Sequence, residues 1–216
     1  MAANAVPGFL PSQSGLRFAN RWPPNPARVI TIGPLRVPIG DTGRGLCGGM
    51  AFVARDRFER GTGAPLDAVP PEPGMPLFKE IVDRQFDSFG ALLWVPLRFW
   101  LASIGSQAGR DRSTVRDAWP AIKRSIDAGR PPMVGLVRRA GWNPLAIDFG
   151  HQVVAYRYGE SPTSVEIGIY DPNHPGRDDV RLAIERTPDG RYAVAQSTGE
   201  PLLGLLALPF DRAGNA

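Results

Sequence analysis

The spacing of apolar residues along this chain changes character once, near its middle. Between Cys47 and Arg60 apolar positions recur at three- and four-residue steps, at Cys47, Met50 with Ala51, Ala54 and Phe58, which is the repeat of one helix face. Gly61 stops the run. Gly43, Gly45, Gly48 and Gly49 bracket its start and let the chain turn tightly into the first helical turn. After a Pro-rich loop over 64–76, helical spacing returns at 77–89 and at 92–104. Ser113 or Thr114 is placed to cap a further helix that runs through Trp119-Pro120-Ala121-Ile122 to Ala128 and is stopped by Gly129 and Pro131. Beyond this point the runs are short and β-type, at 133–138, 152–158, 165–170, 180–185 and 192–196. Turn signals such as Gly159-Glu160-Ser161-Pro162 and Pro188-Asp189-Gly190 separate them. The apolar tail, 201–210, is expected to pack back on the body.

A mainly helical first half followed by a mainly antiparallel second half predicts an α+β fold. Residues 1–40, rich in Pro and Gly with a β-like run at 28–32, read as an arm lying over a body or a partly mobile leader. Residues 41–216 read as one domain, with a helical lobe over 41–130 and a β lobe over 131–216 that share an interface. There is no internal repeat.

Composition narrows the function classes. The chain has 216 residues, 43% hydrophobic and 21% charged, which suits a soluble globular protein. Its single cysteine excludes an intramolecular disulfide, and with only His151 and His174 beside it there are too few ligands for an ordinary structural zinc site. The sequence therefore implies neither metal nor cofactor. The formal charge is +4 and almost all cations are Arg, spread along the chain without a phosphate loop or an RNA-binding signature, so no nucleic-acid partner is expected. Residues 1–15 lack the basic and continuous apolar regions of a Sec signal peptide. The most apolar stretch, 89–105, contains Pro96, Arg98 and Ser103, and reads as a buried or partner-contacting helix pair broken near Pro96, not as a membrane span. A cytoplasmic location is expected, with export by a signal-independent route left open. The sequence does not fix the oligomeric state.

Three residues carry candidate chemistry. Cys47, in Gly45-Leu46-Cys47-Gly48-Gly49-Met50, falls at a helix start. There the helix dipole and unpaired N–H groups favour a thiolate, and the flanking glycines would let a substrate backbone approach. The alternative is that Cys47 serves as a small buried hydrophobe. His151 opens the strand Gln152-Val153-Val154-Ala155-Tyr156, and an imidazole near a thiolate stabilises it and later protonates the leaving group. Asp171 follows the run Val165, Ile167, Ile169 on the same face. If the two strands form a hairpin, His151 and Asp171 lie at one edge, where the carboxylate can orient the imidazole. Asp-Pro-Asn is also ordinary turn chemistry. Asn173 is a substitute orienter and Asp148 a weaker one, while His174 reads as a surface residue.

The order of a Cys at a helix start, a His at a strand start, and Asp-Pro about twenty residues later resembles the papain-like clan of cysteine peptidases. More narrowly it is similar to bacterial double-glycine-leader (bacteriocin-processing) peptidases and their relatives. The matching pieces are residues 45–50, residues 122–132 with Asp127-Ala128-Gly129-Arg130-Pro131, and residues 150–156 with Tyr170-Asp171-Pro172-Asn173. The resemblance implies a papain-like fold, Cys47 as nucleophile, His151 as general base and acid, Asp171 as orienter, and a peptide or protein substrate. It also implies a Gln six residues before the Cys, which donates to the oxyanion; that position here is Asp41. A carboxylate repels an oxyanion, which leaves the backbone N–H groups of Cys47 and Gly48, or Gln152, for that role. Two other readings stand beside the hydrolase: an inactive papain-like binding module, and an acyltransferase or effector toxin with the same triad.

Overall fold

A computed structural model of the chain describes residues 2–32, 35–39, 41–142 and 150–211. Among these residues the fold is α+β. Strands β4 (Met133–Val137), β5 (Gly150–Glu160), β6 (Ser164–Tyr170), β7 (Arg181–Arg186), β8 (Tyr192–Gln196) and β9 (Gly204–Leu208) form an antiparallel sheet in the order β8-β7-β6-β5-β4-β9. A seventh strand, β1 (Ala2–Ala5), pairs with the far end of β5, from Arg157 to Glu160. Strands β2 (Arg28–Ile32) and β3 (Leu35–Ile39) make a separate hairpin.

Helix α1 (Pro11–Ser14) is a single turn; α2 (Cys47–Arg60) and α3 (Pro76–Asp87) pack on each other. Both α2 and α6 (Trp119–Asp127) lie against β5. Their inward stripes, Met50, Ala51, Val53 and Ala54 on α2 and Ile122 and Ile126 on α6, are buried with Val134, Leu136, Val153, Val154, Ile167 and Ile169 of the sheet. The spacing of three and four on the helices and of two on the strands is thus satisfied by one core.

Residues 2–22 are built into that core. They supply β1 and the buried side chains of Val6, Phe9, Leu16, Phe18 and Trp22. The apolar tail also returns to the body, with β9 pairing along β4.

Two helical expectations need correction. The helix before α6 starts earlier than Ser113: α5 (Gln107–Ser113) is capped by Ser106, whose hydroxyl accepts from the Gly109 N–H, and a π turn over Thr114–Ala118 joins it to α6. Thr114 is not a cap at all; its hydroxyl accepts from the Leu205 N–H and ties the helical segment to β9. Helix α4 (Trp94–Ile104) is not broken at Pro96, because that residue lies in the first turn, where an N–H has no intrahelical partner to lose. Val95, Phe99 and Ser103 of α4 face inward, while Trp94, Leu97 and Leu101 face solvent. Among the described residues, no helix is long and apolar enough to cross a membrane.

Candidate active site

The local fold brings three chemistry-bearing residues to one place. Cys47 is the first residue of α2 and is half-buried. His151 is the second residue of β5, and Asp171 immediately follows β6. The β5–β6 hairpin pairs Val154 with Tyr170, so its open edge carries both His151 and Asp171. Both side chains are buried.

His151 Nε2 and Asp171 Oδ1 are 2.6 Å apart. Asp171 is saturated beyond this contact: Oδ1 accepts from the Asn173 N–H at 2.8 Å and Oδ2 accepts from Gln196 Nε2 at 2.8 Å. With Nε2 committed to Asp171, Nδ1 is the ring nitrogen left for Cys47, whose thiol is hydrogen-bonded to the His151 side chain. The Gln152 N–H also supports the sulfur.

The electrostatics follow from this chain of contacts. Burial alone would raise the Cys47 pKa, but the His151 charge, the His151 hydrogen bond and the Gln152 N–H together hold it below the ordinary thiol value. Burial likewise opposes a charged imidazole, yet the Asp171 carboxylate and the Cys47 thiolate push His151 up to about 10. Asp171, despite its burial, is held well below the usual carboxylate range by the imidazolium and its hydrogen bonds. The arrangement favours a thiolate–imidazolium pair at neutral pH.

The remaining sequence candidates lie elsewhere. The Asn173 side chain does not reach His151; its Oδ1 accepts from Asn20 Nδ2 at 3.2 Å. The Gln152 side chain lies beneath the start of α2, with Nε2 donating to Ser88 Oγ at 3.1 Å, and does not line the cleft beside Cys47. Asp41 Oδ1 accepts from the Gly43 N–H at 2.9 Å, capping a short 3-10 turn over Thr42–Arg44. His174 is half-buried, not a free surface residue; its Nε2 lies 2.6 Å from Glu200 Oε1 and it lines the cleft. Asp148 lies outside the described residues.

The two glycines after Cys47 serve packing. A Cβ on Gly49 would stand 2.0 Å from the Ile81 carbonyl oxygen, and one on Gly48 would stand 2.3 Å from Ser88 Oγ. They permit the close approach of α2 to α3 and its following turn, so substrate access is not what requires them here. The Gly49 N–H is also occupied, donating to Gln85 Oε1 at 2.9 Å. In the first turn of α2 this leaves the N–H groups of Cys47 and Gly48, which have no intrahelical acceptor.

Asn20 and Arg138 belong to the site and were not legible as such. Asn20 Oδ1 accepts from the Leu46 N–H at 2.6 Å, its Nδ2 donates to Asn173, and its own N–H donates to the Pro172 carbonyl at 2.9 Å. One residue thus braces the turn before the nucleophile against the turn after the carboxylate. Arg138 directly follows β4, whose Leu136 pairs with His151. It donates to Gln196 Oε1 at 3.0 Å and stands 3.8 Å from Asp171 Oδ2. The only available signal was for Arg138, through its place after the strand that flanks His151.

Among the described residues no cluster of three or more His, Cys, Asp or Glu side chains could hold a metal ion. Comparison of the chain with protein-family models, with curated proteins and with solved structures gave no match in any of the three.

Proposed function

We propose that this protein is a cysteine hydrolase of papain-like type that cleaves an amide, with a peptide or protein as substrate. The observation that carries the reading is the single imidazole bridging a buried carboxylate and the sole cysteine of the chain, with the Cys47 pKa lowered and the His151 pKa raised. An inert buried thiol has no such neighbour.

In this reading the Cys47 sulfur attacks the scissile carbonyl carbon, and the carbonyl π electrons move to oxygen. The donors this reading assigns to that charge are the N–H groups of Cys47 and Gly48, which have no intrahelical acceptor. As the tetrahedral intermediate collapses, the C–N bond breaks and Nδ1 of His151 gives its proton to the departing amine. A thioester remains on Cys47. Water then attacks it, giving a proton to Nδ1, and the C–S bond breaks to return the thiolate and a carboxylic acid. Asp171 keeps the imidazole in the orientation both transfers need and stabilises its cationic form.

The test uses p-nitrophenyl acetate, which needs no knowledge of the natural substrate. The expected result is a burst of about one equivalent of p-nitrophenolate, with the acetyl group on Cys47 by mass spectrometry and slow turnover afterwards. The burst should vanish in Cys47→Ala and be much reduced in His151→Ala. Acetylation no faster than that of a free thiol would reject the hydrolase and favour an inactive binding module.

A further inference from the structure

The site opens onto a cleft of about 410 Å³. No hydrocarbon side chain lines it among the described residues. That is unusual for a ligand pocket, which is ordinarily walled by apolar groups with a few polar ones between them. Beyond Cys47, His151 and His174, the wall is made of glycine backbone, the Asn20 and Asn173 amides, and charged groups.

The charges are one-sided. Three guanidinium groups, Arg21, Arg44 and Arg138, face one carboxylate, Glu200. Glu200 is already satisfied, by His174 at 2.6 Å and by the Thr198 hydroxyl. Arg21 and Arg44 are exposed, and the guanidinium group of neither has an ion-pair or hydrogen-bonding partner among the described residues. Arg44 sits three residues before Cys47, Arg21 follows the brace residue Asn20, and both line the cleft together with Cys47. Guanidinium groups left free in a polar cleft attract carboxylates, which they bind through paired N–H donors.

Building on the hydrolase reading, we propose that the cleft selects a substrate carrying a carboxylate close to the scissile amide, held by Arg21 and Arg44 with Arg138 behind them. The anion has two sources of the same chemistry: an acidic side chain next to the cleaved bond, or a free C-terminal carboxylate one residue beyond it. A bulky apolar side chain finds no complementary surface in this cleft.

Two alkylating agents of nearly equal size, neutral iodoacetamide and anionic iodoacetate, separate this proposal from the reading beneath it. Second-order rate constants are measured for Cys47 at pH 6.5, and their ratio is compared with that of a blocked free cysteine. The proposal expects the iodoacetate-to-iodoacetamide ratio to exceed the free-thiol ratio by about tenfold, the effect of one charge-assisted contact. The excess should shrink at high salt and fall severalfold in Arg21→Gln/Arg44→Gln, whose side chains are exposed and whose loss does not threaten folding. An unchanged ratio in the double variant would assign the preference to the His151 imidazolium and overturn the proposal. So would a wild-type ratio equal to that of the free thiol. Failure of the hydrolase reading shows up in a different number, an iodoacetamide rate no greater than that of the free thiol. Protection of Cys47 from iodoacetamide then identifies the source of the anion. A tripeptide amide with a central glutamate and blocked ends represents the side chain, and N-blocked triglycine with a free carboxylate represents the terminus. Protection by either supports the subsite and names its ligand, and protection by neither overturns it.

Discussion

Removing the imidazole tests the thiolate at its cause. In the folded protein burial raises the Cys47 pKa, and the charge and hydrogen bond of His151 overcome it. Replacing His151 with alanine deletes both and leaves the burial, the largest single influence, opposed only by the Gln152 N–H, so the sign of the shift should reverse. The magnitude follows from the thiolate fraction. An ordinary thiol of pKa about 8.5 is about 1% ionised at pH 6.5, so a fully ionised Cys47 offers about 100 times more nucleophile there. Intrinsic nucleophilicity falls roughly threefold for each unit by which a thiol pKa is lowered. The gain in thiolate outweighs the loss in nucleophilicity, so the net acceleration over a free thiol should be severalfold. Alkylation of the intact protein by iodoacetamide between pH 5 and 10, followed by the mass of the single adduct, reads it directly. The wild type should show a profile whose midpoint lies below that of a free thiol. His151→Ala should show one above it and react more slowly than a free thiol at pH 6.5. Because the variant leaves the buried Asp171 without its cation, its thermal melt must accompany the kinetics. A folded variant that alkylates as fast as the wild type would refute the reasoning.

Substitutions at four other positions have expected outcomes. In Asp171→Asn, the ring loses the carboxylate 2.6 Å from Nε2, and the His151 pKa should fall from about 10 toward the ordinary value, read by NMR of the imidazole protons. Asp171 also ties stability to pH: its pKa is depressed in the folded state, so its contribution is complete above the unfolded value of about 3.9 and is lost as pH falls below it. The melting temperatures of wild type and Asp171→Asn should accordingly converge on acidification. Asn20→Ala leaves the Leu46 N–H and Asn173 Oδ1 without their partner, at about 1–2 kcal/mol, and should slow Cys47 alkylation at pH 6.5; Asn20→Asp, which keeps the acceptor for Leu46, should recover part of the rate. Gly49→Ala drives a methyl into the Ile81 carbonyl, a backbone atom that cannot step aside, and should lower the melting temperature by roughly 4–8 °C despite the better helix propensity of alanine. Gly159→Ala, at a strand position with nothing within 4 Å, should be neutral or mildly stabilising in the same assay.

Periodic signals in the sequence located much of this site. The helix face beginning at Cys47 and the alternating strands after His151 and before Asp171 each bury one stripe, and that periodicity is enough to place the three residues at element ends. The α5 segment, Gln-Ala-Gly-Arg-Asp-Arg-Ser, has no apolar stripe to betray it; its helix depends on the Ser106 cap and on Gln107 donating to Asp111 and the Leu203 carbonyl. Proline and glycine likewise masked residues 2–22, because composition reports local flexibility and not whether Phe9, Leu16 or Phe18 finds a long-range partner. Asn20 was invisible for the same reason: its bonds are to residues 46, 172 and 173, and no local pattern encodes them. The glycines around Cys47 did mark a tight place, but the crowding comes from Asn20 at Gly45, from Ser88 and Gln152 at Gly48, and from α3 at Gly49.

The brace at Asn20 also sets an order of events. Its bond to Asn173 spans 153 residues, and the Gln196 amide that steadies Asp171 lies later still. Until β6 and β8 have joined the sheet, the imidazole lacks the carboxylate that holds it and the amide that steadies that carboxylate. A chain still emerging from the ribosome, or one partly unfolded, therefore carries an ordinary thiol that is mostly protonated at neutral pH and slow toward oxidants. Full reactivity depends on contacts between residues far apart in the chain, so a partly folded chain is spared its own chemistry.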